Sequence, residues 1–156
     1  MSKKGTNRRK VIKIPEFVAN DIQLVQPNQP VILNTALACR CGLVLHRNES
    51  GVVTLRGGNR YQVTFNANIA VPEDGTVQPI SIALAIDGEP ILTSRAVVTP
   101  AAVDEYFNVT STDIVVVPCG CCLNVSVENT SESDGTTPAP AINVQNANLT
   151  VTKVGG

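Results

Sequence analysis

Tryptophan is absent from this 156-residue chain, histidine and methionine occur once each, and the aromatics amount to two Tyr and three Phe. So few rings (Phe17, Tyr61, Phe65, Tyr106, Phe107) leave no stacking platform for sugars or bases, which argues against a dedicated nucleic-acid binder. The single His46 stands beside Arg47 and Glu49 and reads as a surface strand residue rather than a general base. No apolar run approaches the roughly 20 residues of a membrane-spanning helix. Lys13 and Pro15 interrupt Val11-Ile12, so no apolar stretch follows the first basic residues and no secretory signal is expected. The expectation is a chain made and assembled in a cytoplasm. Nucleophile, base and oxyanion donor occur nowhere at a recognisable spacing, and the acid pairs Glu73-Asp74, Asp87/Glu89 and Asp104-Glu105 read as solvated turns. Neither an enzyme nor a cofactor is expected.

Acidic residues are missing from the first thirteen positions, where Lys3, Lys4, Arg8, Arg9, Lys10 and Lys13 hold half of the twelve Lys and Arg. The remaining chain sets six Lys/Arg against thirteen Asp/Glu, so a +6 arm is joined to a body of −7 and the net charge of −1 conceals both. Like charges keep such a segment from collapsing on itself. We read residues 1–30 as an extended basic docking arm ending in Gln26-Pro27-Asn28-Gln29-Pro30, whose prolines disfavour helix. Ile14 and Phe17 are its apolar anchors behind the charges, and Val11-Ile12-Lys13-Ile14 could add as a strand to a partner's sheet edge. A solubilising tail is the bland alternative, and phosphate binding by the basic arm the third.

Residues 31–156 form one domain, rich in Val, Ile, Thr, Asn and Ala and punctuated by Gly and Pro, which is an all-β composition. Tyr61, Val63, Phe65, Ala67, Ile69 and Val71 share one face of a strand and Gln62, Thr64, Asn66 and Asn68 the other, and the same period of two sets out Ile80, Ile82, Leu84 and Ile86, and Leu123, Val125 and Val127. Asp87-Gly88 predicts a tight hairpin between 80–86 and 90–98. Shorter runs at 31–38, 43–46, 52–56, 105–110 and 114–117, and a last strand over 142–154, bring the expectation to eight to ten strands of antiparallel sheets. The fold class is an antiparallel β-sandwich, jelly roll or barrel.

The cysteines are the one cluster with chemistry. Cys39 and Cys41 form a C-x-C, and Cys119, Cys121 and Cys122 a C-x-C-C. Five thiols could supply zinc with ligands, but structural zinc sites favour C-x₂₋₄-C spacing. Unpaired or buried thiols are expected first, disulfides within or between subunits second, and metal last. The Asn-x-Ser/Thr matches at Asn48, Asn108, Asn124, Asn129 and Asn148 are what chance gives in an Asn- and Thr-rich chain.

The segment Gly51-Val-Val-Thr-Leu-Arg-Gly-Gly-Asn-Arg-Tyr61-Gln-Val-Thr-Phe65-Asn resembles a strand pair of the complement and tumour necrosis factor-like jelly rolls. Ile80 to Ile91 resembles the next pair, Val31-Ile-Leu-Asn34-Thr the first strand and Ala147-Asn-Leu149-Thr-Val151-Thr the last. Val77 to Pro90 and Pro140 to Leu149 are similar to small phage and Firmicutes structural proteins of this type. The resemblance implies a jelly roll, a homotrimer around a three-fold axis, and display or adhesion. One sheet is then expected to be too apolar to face water, with Ala83, Ala85 and Val115 to Val117 packing near the axis. No collagen-like Gly-X-Y stalk precedes the body, and the arm is basic instead. The functional expectation is a bacteriophage head fibre or capsid-decorating protein on the virion surface, held to a capsid by the arm. A spore-surface structural protein is the alternative, and a carbohydrate-binding module facing a host-surface glycan the third.

Overall fold

The computed structural model describes residues 15–36, 44–46 and 50–155. Among the described residues twelve strands run in chain order: β1 (Glu16–Ala19), β2 (Gln23–Val25), β3 (Thr35–Ala36), β4 (Val44–His46), β5 (Val53–Arg56), β6 (Asn59–Ala70), β7 (Ile80–Ile86), β8 (Glu89–Pro90), β9 (Ala96–Val98), β10 (Phe107–Val117), β11 (Cys122–Asn129) and β12 (Ile142–Gly155). One 3-10 turn, Leu92–Ser94, is the only helical element among the described residues. The first sheet has the order β10-β6-β12-β1-β3 with β2 also on β12, and the second β4-β5-β11-β7-β8 with β9 also on β7. Every pairing is antiparallel. The result is the expected jelly-roll sandwich.

Strict alternation explains β6. Tyr61, Val63, Phe65, Ala67 and Ile69 are buried between the sheets, while Gln62, Asn66 and their neighbours face outward. Leu149 and Val151 of β12 lie opposite Phe65 and Val63, and Ile82, Leu84, Val125 and Val127 close the core from the second sheet. The Asp87-Gly88 hairpin has φ of +50° and +83° at its two central residues, as a tight primed turn needs. Beyond it the expected strand over 90–98 is split: Ser94 donates its hydroxyl to Ile91 and accepts the Leu84 N–H, inserting a 3-10 turn between β8 and β9. The runs at 105–110 and 114–117 are one strand, because β10 pairs with β6 without a break from Phe107 to Val117.

The expected boundary after residue 30 is corrected by the first sheet. Residues 16–25 belong to the domain, since β1 lies between β12 and β3 and β2 pairs with Ile142–Val144. A left-handed residue, Asn146 (φ +53°), sits at the β-bulge in β12 where one of these partners gives way to the other.

Candidate interaction surfaces

Of the arm residues, Lys3, Lys4, Arg8, Arg9, Lys10, Lys13 and Ile14 lie outside the described residues, as do Cys39 and Cys41. Phe17 is described, and its role is corrected. It is 4% exposed, faces Leu149 and Ala36 across the ladder, and is part of the core rather than a docking anchor.

The other three cysteines share one corner of the sandwich. Pro118 to Cys121 form a turn from the first sheet to the second, closed by the Cys121 N–H to the Pro118 carbonyl at 3.2 Å. Gly120, at φ +75°, takes the left-handed position of a type II turn. Cys119, Cys121 and Cys122 are exposed and not bonded to one another, so of the expected forms these three are unpaired but not buried. Cys122 opens β11 directly opposite Arg56. Gly57-Gly58 runs against this turn, with the Gly58 N–H donating to the Val117 carbonyl at 2.8 Å. A Cβ on Gly57 would stand 2.1 Å from the Pro118 carbonyl oxygen, so only glycine permits this approach. Asn59 donates to the Arg56 and Gly57 carbonyls at 3.3 and 3.0 Å, and the Tyr61 hydroxyl donates to the Arg56 carbonyl at 2.7 Å.

The outward face of the first sheet is a ladder of amides and hydroxyls. Asn108 donates to Asn66 and Asn68 at 2.8 and 3.1 Å, Asn66 to Thr110 at 3.3 Å, and Thr112 to Thr64 at 3.2 Å. Asn148 bonds Glu16 at the β1 side. On this sheet the expectation of a face too apolar for water is therefore corrected, apart from the exposed Leu24 on β2 and one corner. There Ile114 and Val116 on the edge strand β10 are 50% and 57% exposed, and Val154 on β12 is 50% exposed. Ala83 and Ala85 do not join Val115 to Val117 in one surface. They sit in the second sheet and are fully buried within a single chain, and Val115 and Val117 point into the core.

Elsewhere Arg95 bonds Glu132 at 3.3 Å, Ser81 at 3.1 Å and the Thr130 carbonyl at 3.4 Å beside a cleft of about 170 Å³. Glu73, Asp74 and Asp104 border a second, more open cleft. Among the described residues no three of His, Cys, Asp and Glu are grouped to hold a metal ion. Glu128, 7% exposed and paired opposite Ala83, accepts no side-chain hydrogen bond among the described residues, and burial pushes its carboxyl above the usual range.

Sequence reasoning placed Val116 near the axis but missed Ile114 and the corner that the two form with Val154. Its signal was present: Ile114-Val-Val-Val117 has no polar alternate, so a strand there must show apolar residues on both faces.

No protein-family profile matches this chain, and no curated protein matches it. Its fold does match solved structures. Eiger, a tumour necrosis factor from S. frugiperda, aligns at a TM-score of 0.63 with 13% identity, covering 90% of this chain and 91% of that one. The globular domain of the zebrafish complement 1qA protein aligns at 0.57 with 15% identity, covering 91% and 97%. Murine APRIL aligns at 0.56 with 10% identity, covering 88% and 98%. The architecture is that of the complement 1q and tumour necrosis factor-like jelly rolls, and at these identities the likeness concerns the fold.

Proposed function

We propose that this chain is a non-enzymatic structural protein of a bacteriophage virion, a head fibre or capsid-decorating protein. A homotrimeric jelly roll is displayed outward and the basic N-terminal arm fastens it to the capsid. The observation that carries this reading is the charge partition, six cations and no acid in residues 1–13 against an acidic body. A separately folded domain with a short arm of opposite sign suits attachment to a large acidic assembly, because the body's own charge keeps it off the surface that draws the arm in. Trimerisation is supported by the likeness of fold and by the exposed Ile114, Val116 and Val154 corner, which a second copy would cover. Glycan binding has no exposed aromatic platform to support it.

The exposed thiols favour one second reading, a spore-surface protein whose cysteines crosslink a coat. Quantitative mass spectrometry of purified phage particles tests the first. The chain should be present in fixed stoichiometry to the major capsid protein. Its absence from particles, or its recovery in spore coats, would reject the virion assignment.

A further inference from the structure

Three exposed thiols within four residues are an unusual load for one turn, and their neighbours indicate what they meet. Val116 lies three residues before Cys119, a reach of at most about 10 Å, on the outward face of an edge strand. Arg60 is its partner on β6, and Gly155 is the partner of Arg60 on β12. With strands about 4.8 Å apart, exposed Val154 thus stands about 10 Å from Val116, in the corner from which the thiol turn projects. Gly57 packs directly against Pro118 and Cys121 of the turn, and the Gly58 N–H bonds the Val117 carbonyl just before it at 2.8 Å, so the turn is anchored to the connection between β5 and β6. Any one disulfide inside the turn would still leave a third thiol over.

We propose that the Cys119, Cys121 and Cys122 turn is an oxidation-dependent lock between copies of this chain, closing after the Ile114, Val116 and Val154 corner has been covered by a second copy. The lock rests on the trimer proposed above. The lock places this corner at the three-fold axis, the one place in a closed ring where a residue meets its own equivalents, so that the turn of each copy faces the same turn of its neighbour. A disulfide then needs Cα atoms about 4.4–6.8 Å apart. The oxidant is a small-molecule disulfide. A turn thiolate attacks it, forming a mixed disulfide and releasing one small thiolate. A thiolate of the neighbouring copy attacks the mixed disulfide at the protein sulfur, forming the Cys–Cys bond and releasing the second. Two protein thiols are oxidised, one small disulfide is reduced to two thiols, and the protons leave with them. Such a bond stays open in a reducing cytoplasm and closes once the particle is outside the cell.

The test uses the full chain, prepared as a mixture of ¹⁴N- and ¹⁵N-labelled protein, equilibrated and then treated with glutathione disulfide. Denaturing gels without reductant should show dimer and trimer bands that dithiothreitol abolishes. Peptide mass spectrometry should find mixed-isotope crosslinks joining residues 119–122 of two copies. The Cys119→Ser/Cys121→Ser/Cys122→Ser variant should lose these bands, and Ile114→Asp with Val116→Asp should reduce them at least tenfold. Crosslinks confined to Cys39 or Cys41, or bands unchanged by the two aspartates, overturn the lock. Light scattering on the reduced protein separates the two readings. A reduced trimer that gives no crosslink overturns the lock alone, and a reduced monomer overturns the trimer and the lock with it.

Discussion

Phe65 is fully buried at the centre of β6, opposite Leu149 and Ser111, whereas Thr64 beside it points to the outer ladder. Truncation of Phe65 to Ala should cost about 3–5 kcal/mol, the usual range for an aromatic in a packed core. Thr64→Ala should cost less than about 1 kcal/mol, the scale of one exposed hydroxyl pair. Urea unfolding of both variants checks this, and equal losses would reverse the register. Glu128 gives a prediction in pH. Because its folded carboxyl titrates above its unfolded value, the folded state holds the extra proton in the window between the two. Its contribution to stability is therefore greatest in acid and falls as pH rises from the unfolded value through the folded one. Glu128→Gln should raise the melting temperature at pH 7 and change it little at pH 4. A melting temperature lowered at both pH values would show instead that the carboxylate has a partner it needs.

At the scale of elements, the long strands were legible in the sequence because alternation is a property of the strand itself. The positions of β6, β7 and β11 followed from it. The first two strands were not legible. Glu16–Ala19 and Gln23–Val25 are short, lie among prolines and an asparagine-rich segment, and become strands only because β12 offers them its edge. Phe17 was accordingly misread as an arm anchor, since a lone apolar residue beside a charge run carries no register. The thiol turn was half legible: the spacing of Cys119, Cys121 and Cys122 was visible, but not their exposure or the packing of the turn against Gly57. Two truncations separate arm from domain. Deleting residues 1–14 removes no described strand and should leave the melting temperature within about 2 °C of the full chain. Deleting residues 1–19 removes Phe17 and the ladder between β12 and β3, and should lower it by more than about 10 °C. Differential scanning calorimetry decides, and equal melting temperatures would return β1 to the arm.

Across the whole molecule the body carries −7 and each arm +6, so a trimer would present three cationic arms on one acidic particle, with a mass about three times 16.5 kDa by light scattering. Three linked arms bind with a high effective concentration once one has engaged, so modest contacts per arm suffice for lasting attachment. Charge and apolar contact should then be separable in kinetics. Replacing Arg8, Arg9 and Lys10 by Ser should slow capture on particles lacking the protein and flatten its dependence on salt, because long-range charge chiefly governs encounter. Ile14→Ser should leave capture nearly unchanged and speed release, since short-range contacts govern departure. Phe17 is left intact in both variants, because its loss would damage the first sheet rather than the arm. The measurement is occupancy of purified particles over time, during loading and after dilution, for the full chain, both variants and the chain lacking residues 1–14. The truncated chain should remain folded and trimeric yet fail to load. Loading equal to that of the full chain would exclude the arm as the anchor and leave it a solubilising tail.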